Sequence, residues 1–322
     1  MQVNLVLGSG GARGFAHVGV IHELQARGHE VVGIAGTSMG ALVGGVLAAG
    51  RLDDFADYCR TLTRSDVRRL TDLTLGSSGL VRLQKAMNEL HRFVGDVRIE
   101  DLPVPYTAVA TDIDLEREVW FRTGSLLAAI RASIAIPAVF TPVRIGERLL
   151  VDGGLLNPLP IGSTMDMPGQ VTVGVSLFAK PPGLWRVSPS NESADTASAD
   201  GEAVADDLEI AEAARQPWSN RLGEALAASW VGKQLAKHLT PQPSVELEFE
   251  DLPTDVNLLD MLGRTLDLMQ ARIELARNVL NAPDVLVGVP TDSCSVLDFD
   301  RADEMMTFGR QLAIAEFDRV GL

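Results

Sequence analysis

At 322 residues, 46% hydrophobic and 22% charged, the chain is long for one domain, short for two complete ones, and apolar enough for a sizeable core. A net charge of −15 argues against nucleic acid, which needs a basic face, and against average attraction to a strongly anionic membrane, leaving only local patches to dock there. Two cysteines, Cys59 and Cys294, lie far apart without metal-ligand spacing and point to buried thiols in a reduced compartment.

In chain order, residues 3–7 read as a buried strand, 15–27 as a helix, 31–35 as a second strand and 39–49 as a small-residue helix. Such alternation predicts βαβ units and a mainly parallel sheet with helices on its faces. Residues 58–100 follow as a charged helix, the turn Gly76-Ser77-Ser78-Gly79 and an amphipathic stretch with Leu80, Leu83, Met87 and Leu90. Their place after the second helix suits a cap, whose apolar face near residues 80–90 is the expected contact with a micelle or membrane surface. Strands are predicted at 106–113, 118–122, 149–151 and 171–177. Residues 181–209, rich in Ser, Ala, Asp and Glu, bury too little apolar surface to offset their ordering entropy, which predicts a flexible acidic insertion. A helix over Leu258–Leu280, a strand at 285–289 and a helix from 302 to about 317 complete the chain, read as a single domain over 1–322. The N-terminus lacks a basic stretch and no apolar run approaches the ~20 residues that cross a bilayer, so a cytoplasmic location is expected.

Two of the strand ends carry chemistry. Gly36-Thr37-Ser38-Met39-Gly40 sits between the second strand and its helix, the placement of a nucleophile elbow, although the pentapeptide alone also fits an ordinary glycine-rich turn with a serine cap. The helix that begins there aims its first N–H groups and positive dipole end at a developing oxyanion. Gly8-Ser9-Gly10-Gly11-Ala12-Arg13-Gly14 follows the first strand. A dinucleotide turn starting at Gly8 needs glycine where Arg13 stands, and a frame starting at Ser9 loses the first glycine. No Gly-Lys-Ser/Thr follows, so phosphate binding of the Walker type fails as well. The loop is better explained as an oxyanion hole built from Gly10, Gly11, Ala12 and Arg13.

A nucleophilic serine needs a base. Of His17, His22, His29, His91 and His238, only the last two follow Ser38 as the α/β-hydrolase order requires, and neither lies in a strand-end loop. Asp152, closing the run Leu149-Leu150-Val151 and followed by Gly153-Gly154, is the better candidate. A buried carboxylate within hydrogen-bond reach can take a serine proton directly.

Together, the Gly-rich loop with Arg13-Gly14, the Gly-x-Ser-x-Gly turn and Asp152-Gly153-Gly154 resemble the patatin-like phospholipase family. Ala16-His17-Val18-Gly19-Val20 is similar to its first-helix signature, and Arg131-Ala132-Ser133-Ile134-Ala135-Ile136-Pro137 with Phe140 and Pro142 to its segment before the aspartate. Val296-Leu297-Asp298-Phe299 followed by Gly309 looks like the bacterial branch related to neuropathy target esterase. Ser9 stands where the family often has glycine. The resemblance implies a three-layer α/β/α sandwich, a Ser38–Asp152 dyad, Arg13 as a loop-stabilising or oxyanion-side residue, no metal or cofactor, and a lipid acyl ester as substrate. A catalytically idle lipid-binding protein and a nucleotide-binding protein are the rival classes.

Overall fold

The computed structural model describes residues 1–70, 83–180 and 258–322, and the side chains of 258–260 are left aside. The acidic stretch 181–209, the turn at 76–79 and His238 lie outside the described residues.

Eight strands among the described residues form one sheet. They are β1 (Gln2–Leu7), β2 (Glu30–Thr37), β3 (Tyr106–Asp112), β4 (Arg117–Phe121), β5 (Val143–Ile145), β6 (Arg148–Asp152), β7 (Val171–Ala179) and β8 (Val285–Pro290). The order is β5-β6-β3-β2-β1-β7-β8, with β4 pairing β3. From β3 through β2, β1 and β7 to β8 every pairing is parallel; β4, β5 and β6 add antiparallel pairs. The mainly parallel sheet flanked by helices is therefore the predicted class. The central strands owe it to near-continuous burial: β3 is buried at every position and β1 after its first residue.

The helices are α1 (Ala16–Ala26), α2 (Met39–Ala48), α3 (Leu52–Arg60), α4 (Arg64–Leu70), α5 (Gln84–Val94), α6 (Leu126–Ser133), α7 (Leu258–Leu280) and α8 (Ala302–Val320). One large core joins α1, α2, α3, α5, α6 and α8 to Val3, Leu5, Leu7, Ile34, Val173, Val175 and Val287. Helix α7 touches β7 and the short turn Gly153–Leu155. Leu83 and Met87 are buried in the large core, which corrects their expected role at a membrane surface. Helix α6 and strand β5 were not predicted: α6 is eight residues long and β5 three, too short for a clear period.

The Gly-rich loop hangs between β1 and α1, and α8 braces α1 from behind. Their backbones meet at Gly309, where an added Cβ would lie 2.2 Å from the Ala16 carbonyl oxygen. Gly309→Ala is expected to cost about 1–3 kcal/mol, read as a lower urea midpoint, because two helix backbones cannot yield as a flexible side chain could. An unchanged midpoint would contradict this close seat.

Candidate active site

Two strands share one edge of β3. Thr37, the last residue of β2, pairs with Val109, and Asp152, the last residue of β6, pairs with Ala110. Strand β4 pairs with both Val109 and Ala110, so it occupies the other edge, and β2 and β6 meet end to end. Residue 38 and residue 152 are thereby brought face to face. The Ser38 hydroxyl donates to Asp152 Oδ2 at 2.5 Å, with both residues buried.

The chain reaches this geometry under local strain. Ser38 has φ 56° and ψ −121°, a region that costs a non-glycine residue of order 1–3 kcal/mol. Ser133 holds it there: its Oγ accepts from the Ser38 N–H at 2.8 Å and donates to the Val109 carbonyl at 2.6 Å. Two residues on, the Ala135 carbonyl accepts the Asp152 N–H at 2.9 Å. One short segment at the end of α6 thus fixes both partners, and sequence reasoning gave Ser133 no role beyond its place in a family-like run. Glycines permit the approach. A Cβ at Gly40 would lie 2.1 Å from the Leu7 carbonyl oxygen, one at Gly36 2.3 Å from that of Gly40, and one at Gly153 2.2 Å from that of Val109.

Asp152 accepts two hydrogen bonds, from Ser38 and from the Gly154 N–H at 2.7 Å. Burial outweighs them and pushes its carboxyl from 3.8 up to about 7. His17, also fully buried, is held down at about 4 by burial, so it is neutral at pH 7 and donates Nε2–H to the Gly8 carbonyl at 2.9 Å. Of the two histidines offered as alternative bases, His91 does not compete, since it pairs with Asp96 on an exposed helix surface.

The Gly-rich loop differs in part from expectation. The Ala12 N–H donates to the Val296 carbonyl at 2.9 Å, which removes it from the expected donor set. Among the described residues nothing accepts from the Gly10 or Gly11 amide. Arg13 is buried, with its guanidinium bonded to the carbonyls of Gly10 and Thr291 and to Asp267 Oδ1 at 2.6 Å, over the Phe178 ring. It ties the loop to α7 and to the end of β8, so its charge is committed to the frame. Sequence alone could not reveal this, because Asp267 and Thr291 lie more than 250 residues away.

Ser38 and Gly11 open on an apolar cavity of about 150 Å³. Its walls include Phe15, Leu42, Phe55, Tyr58, Met87 and Phe93, with Phe55 and Phe93 edge to face at 5.7 Å. The region 58–100 expected to cap the site thus supplies the end of α3, α4 and α5 to the cavity wall, with residues 71–82 outside the described set. A second, larger cleft of about 1060 Å³ runs between α7 and strands β7 and β8 and meets the first at Gly11 and Ile136. No group of three His, Cys, Asp or Glu side chains suited to a metal ion occurs among the described residues, and no helix among them is long and apolar enough to cross a membrane.

Comparison with known proteins places these features among relatives. The family profile described as patatin-like phospholipase matches residues 5–165. An uncharacterised NTE family protein of Mycobacterium tuberculosis is 41% identical over 326 residues, covering 97% of this chain and 90% of the relative, and a Mycobacterium bovis protein of the same description matches equally. Patatin-like phospholipase domain-containing protein 6 of Mus musculus is 32% identical over 182 residues, 54% of this chain and 13% of that protein. The solved structure of VipD from Legionella pneumophila aligns with 99% of this chain and 66% of its own at 14% identity and a TM-score of 0.43.

The raised carboxyl has a consequence for stability. The folded chain retains a proton on Asp152 that the unfolded chain releases near pH 4, so the proton's contribution is complete below that pH and is lost as pH rises through about 7. Relative to Asp152→Asn, the wild type should lose on the order of 3–4 kcal/mol of unfolding free energy between pH 4 and pH 8. Parallel pH profiles for the two proteins would contradict the burial argument.

Proposed function

On the premise that the chain belongs to the patatin-like phospholipase family, we propose that it is a serine acyl hydrolase acting on fatty-acyl esters of lipids, with lysophospholipids or phospholipids first among them. The observation that carries the reading is the Ser38–Asp152 hydrogen bond at the mouth of an apolar cavity. Ser38 Oγ attacks the ester carbonyl carbon while its proton passes to Asp152 Oδ2. The amides of Gly10 and Gly11 receive the oxyanion, helped by the N-terminal dipole of α2, and each such donor is typically worth about 10²–10³ in turnover. Collapse of the tetrahedral intermediate breaks the bond to the leaving alcohol, which takes the proton back from Asp152. Water then attacks the acyl-Ser38 ester with Asp152 as base, releasing the fatty acid and restoring the hydroxyl.

The environment supports both halves of this cycle. A carboxyl near 7 is ionised often enough at neutral pH to accept the serine proton and basic enough to hold it. The cavity walled by Phe15, Leu42, Phe55 and Met87 suits an alkyl chain, each buried CH₂ contributing about 0.8 kcal/mol.

Turnover of p-nitrophenyl butyrate and covalent labelling by a fluorophosphonate test the reading. The wild type should label once and turn over. Ser38→Ala should not label, and both Ser38→Ala and Asp152→Asn should lose about 10³-fold or more in turnover while remaining folded. An inert wild type would overturn the hydrolase assignment in favour of a lipid-binding role, and full activity in Ser38→Ala would overturn the assignment of the chemistry to this serine.

A further inference from the structure

The larger cleft carries a row of polar side chains with no part in the steps above. Gln270, Glu274 and Asn278 stand four residues apart on α7 and all line the cleft, so each lies about 6 Å along the helix from the last. Gln270 marks the end nearest the Ser38–Asp152 pair: its Oε1 accepts the Ser9 hydroxyl at 2.9 Å. The same oxygen lies 2.7 Å from the place a Gly154 Cβ would take, itself 3.0 Å from Asp152 Oδ1. Glu274 is only 6% exposed and lies beside the Ser176 hydroxyl of β7. Its Oε2, like Asn278 Oδ1 one step further out, is buried and has no hydrogen-bond partner.

Two adjacent buried acceptors without donors are costly, and a fold that keeps them leaves them for something that donates. The cleft is also large, and Gly11 and Ile136 line both it and the apolar cavity beside Ser38. An ester seated at Ser38 with its acyl chain in the apolar cavity therefore directs its alcohol portion into this cleft. Arg264 and Arg272 line it as well and suit a phosphate.

We propose that the cleft between α7 and strands β7 and β8 is the leaving-group subsite of this centre, and that Glu274 and Asn278 select a polar headgroup that donates hydrogen bonds. A glycerol hydroxyl and a primary ammonium share that chemistry. A trimethylammonium headgroup, which has no O–H or N–H, leaves both acceptors unpaired. The inference deepens the acyl-hydrolase reading and rests on it.

The test compares kcat/KM for lysophosphatidylglycerol, lysophosphatidylethanolamine and lysophosphatidylcholine with one common acyl chain, below their micellar concentrations, alongside p-nitrophenyl butyrate. The wild type should favour the glycerol and ethanolamine lipids over the choline lipid by about tenfold or more, as one well-made hydrogen bond allows. Glu274→Leu and Asn278→Leu should each reduce that ratio to near one. Replacing an unpaired acceptor by an apolar group of similar volume need not destabilise the fold, and thermal midpoints check this. The readout is the ratio between headgroups, which a general loss of activity does not move. If the wild type cleaves the butyrate ester yet treats the three lysolipids alike, or if both variants keep the preference, this inference fails and the hydrolase reading stands. A wild type inert on all four esters would overturn both.

Discussion

The site depends on two strands competing for one edge of β3. Strand β2 runs parallel along it as far as Val109, and β6 comes from the opposite direction as far as Ala110. Neither can continue without colliding with the other, so both chains must turn away at adjacent β3 residues. Ser38 and Asp152 are the residues at those two turns. The turn after β2 is sharp enough to force Ser38 to positive φ, and Ser133 compensates by binding its N–H. Removing the β6 end would leave a strained serine with no carboxylate; removing the elbow would leave a buried carboxyl with no donor from the serine.

Electrostatics follow from that placement. A carboxyl at the buried end of a strand has little water to solvate its charge, and two hydrogen bonds do not make up the difference. The result is a group poised near neutrality instead of a firmly ionised acid. His17, buried beside the loop, is neutral for the same reason and serves the Gly8 carbonyl. Arg13 brings a buried positive charge close by, and Asp267 on α7 neutralises it. The loop is thereby anchored through its side chains while the Gly10 and Gly11 amides stay unbonded within the described residues.

Much of this was legible in the sequence. The alternation of short apolar strands with small-residue helices over residues 3–49 is plain, and the glycines at 36, 40 and 153 announce backbone approaches that the structure makes closely. The parts that were not legible depend on distant partners. Ser133 looks like any serine near a helix end until Val109 and Ser38 are brought to it by the sheet. Ala12 belongs by position with Gly10 and Gly11, but a carbonyl more than 280 residues away claims its N–H. Leu83 and Met87 read as an amphipathic face, and sequence cannot say which side of that face meets the core. Glu274 reads as one more charge on a long helix, and only the folded structure shows it buried.

The central claim is that Ser38 reacts with Asp152 as its base, and the pH dependence of covalent labelling tests it most directly. The second-order rate of fluorophosphonate reaction at Ser38, located by peptide mass, should rise with pH along a single ionisation with a midpoint near 7 and level off above it. A rate that is flat from pH 5 to 9, or an adduct on any residue other than Ser38, would contradict the account.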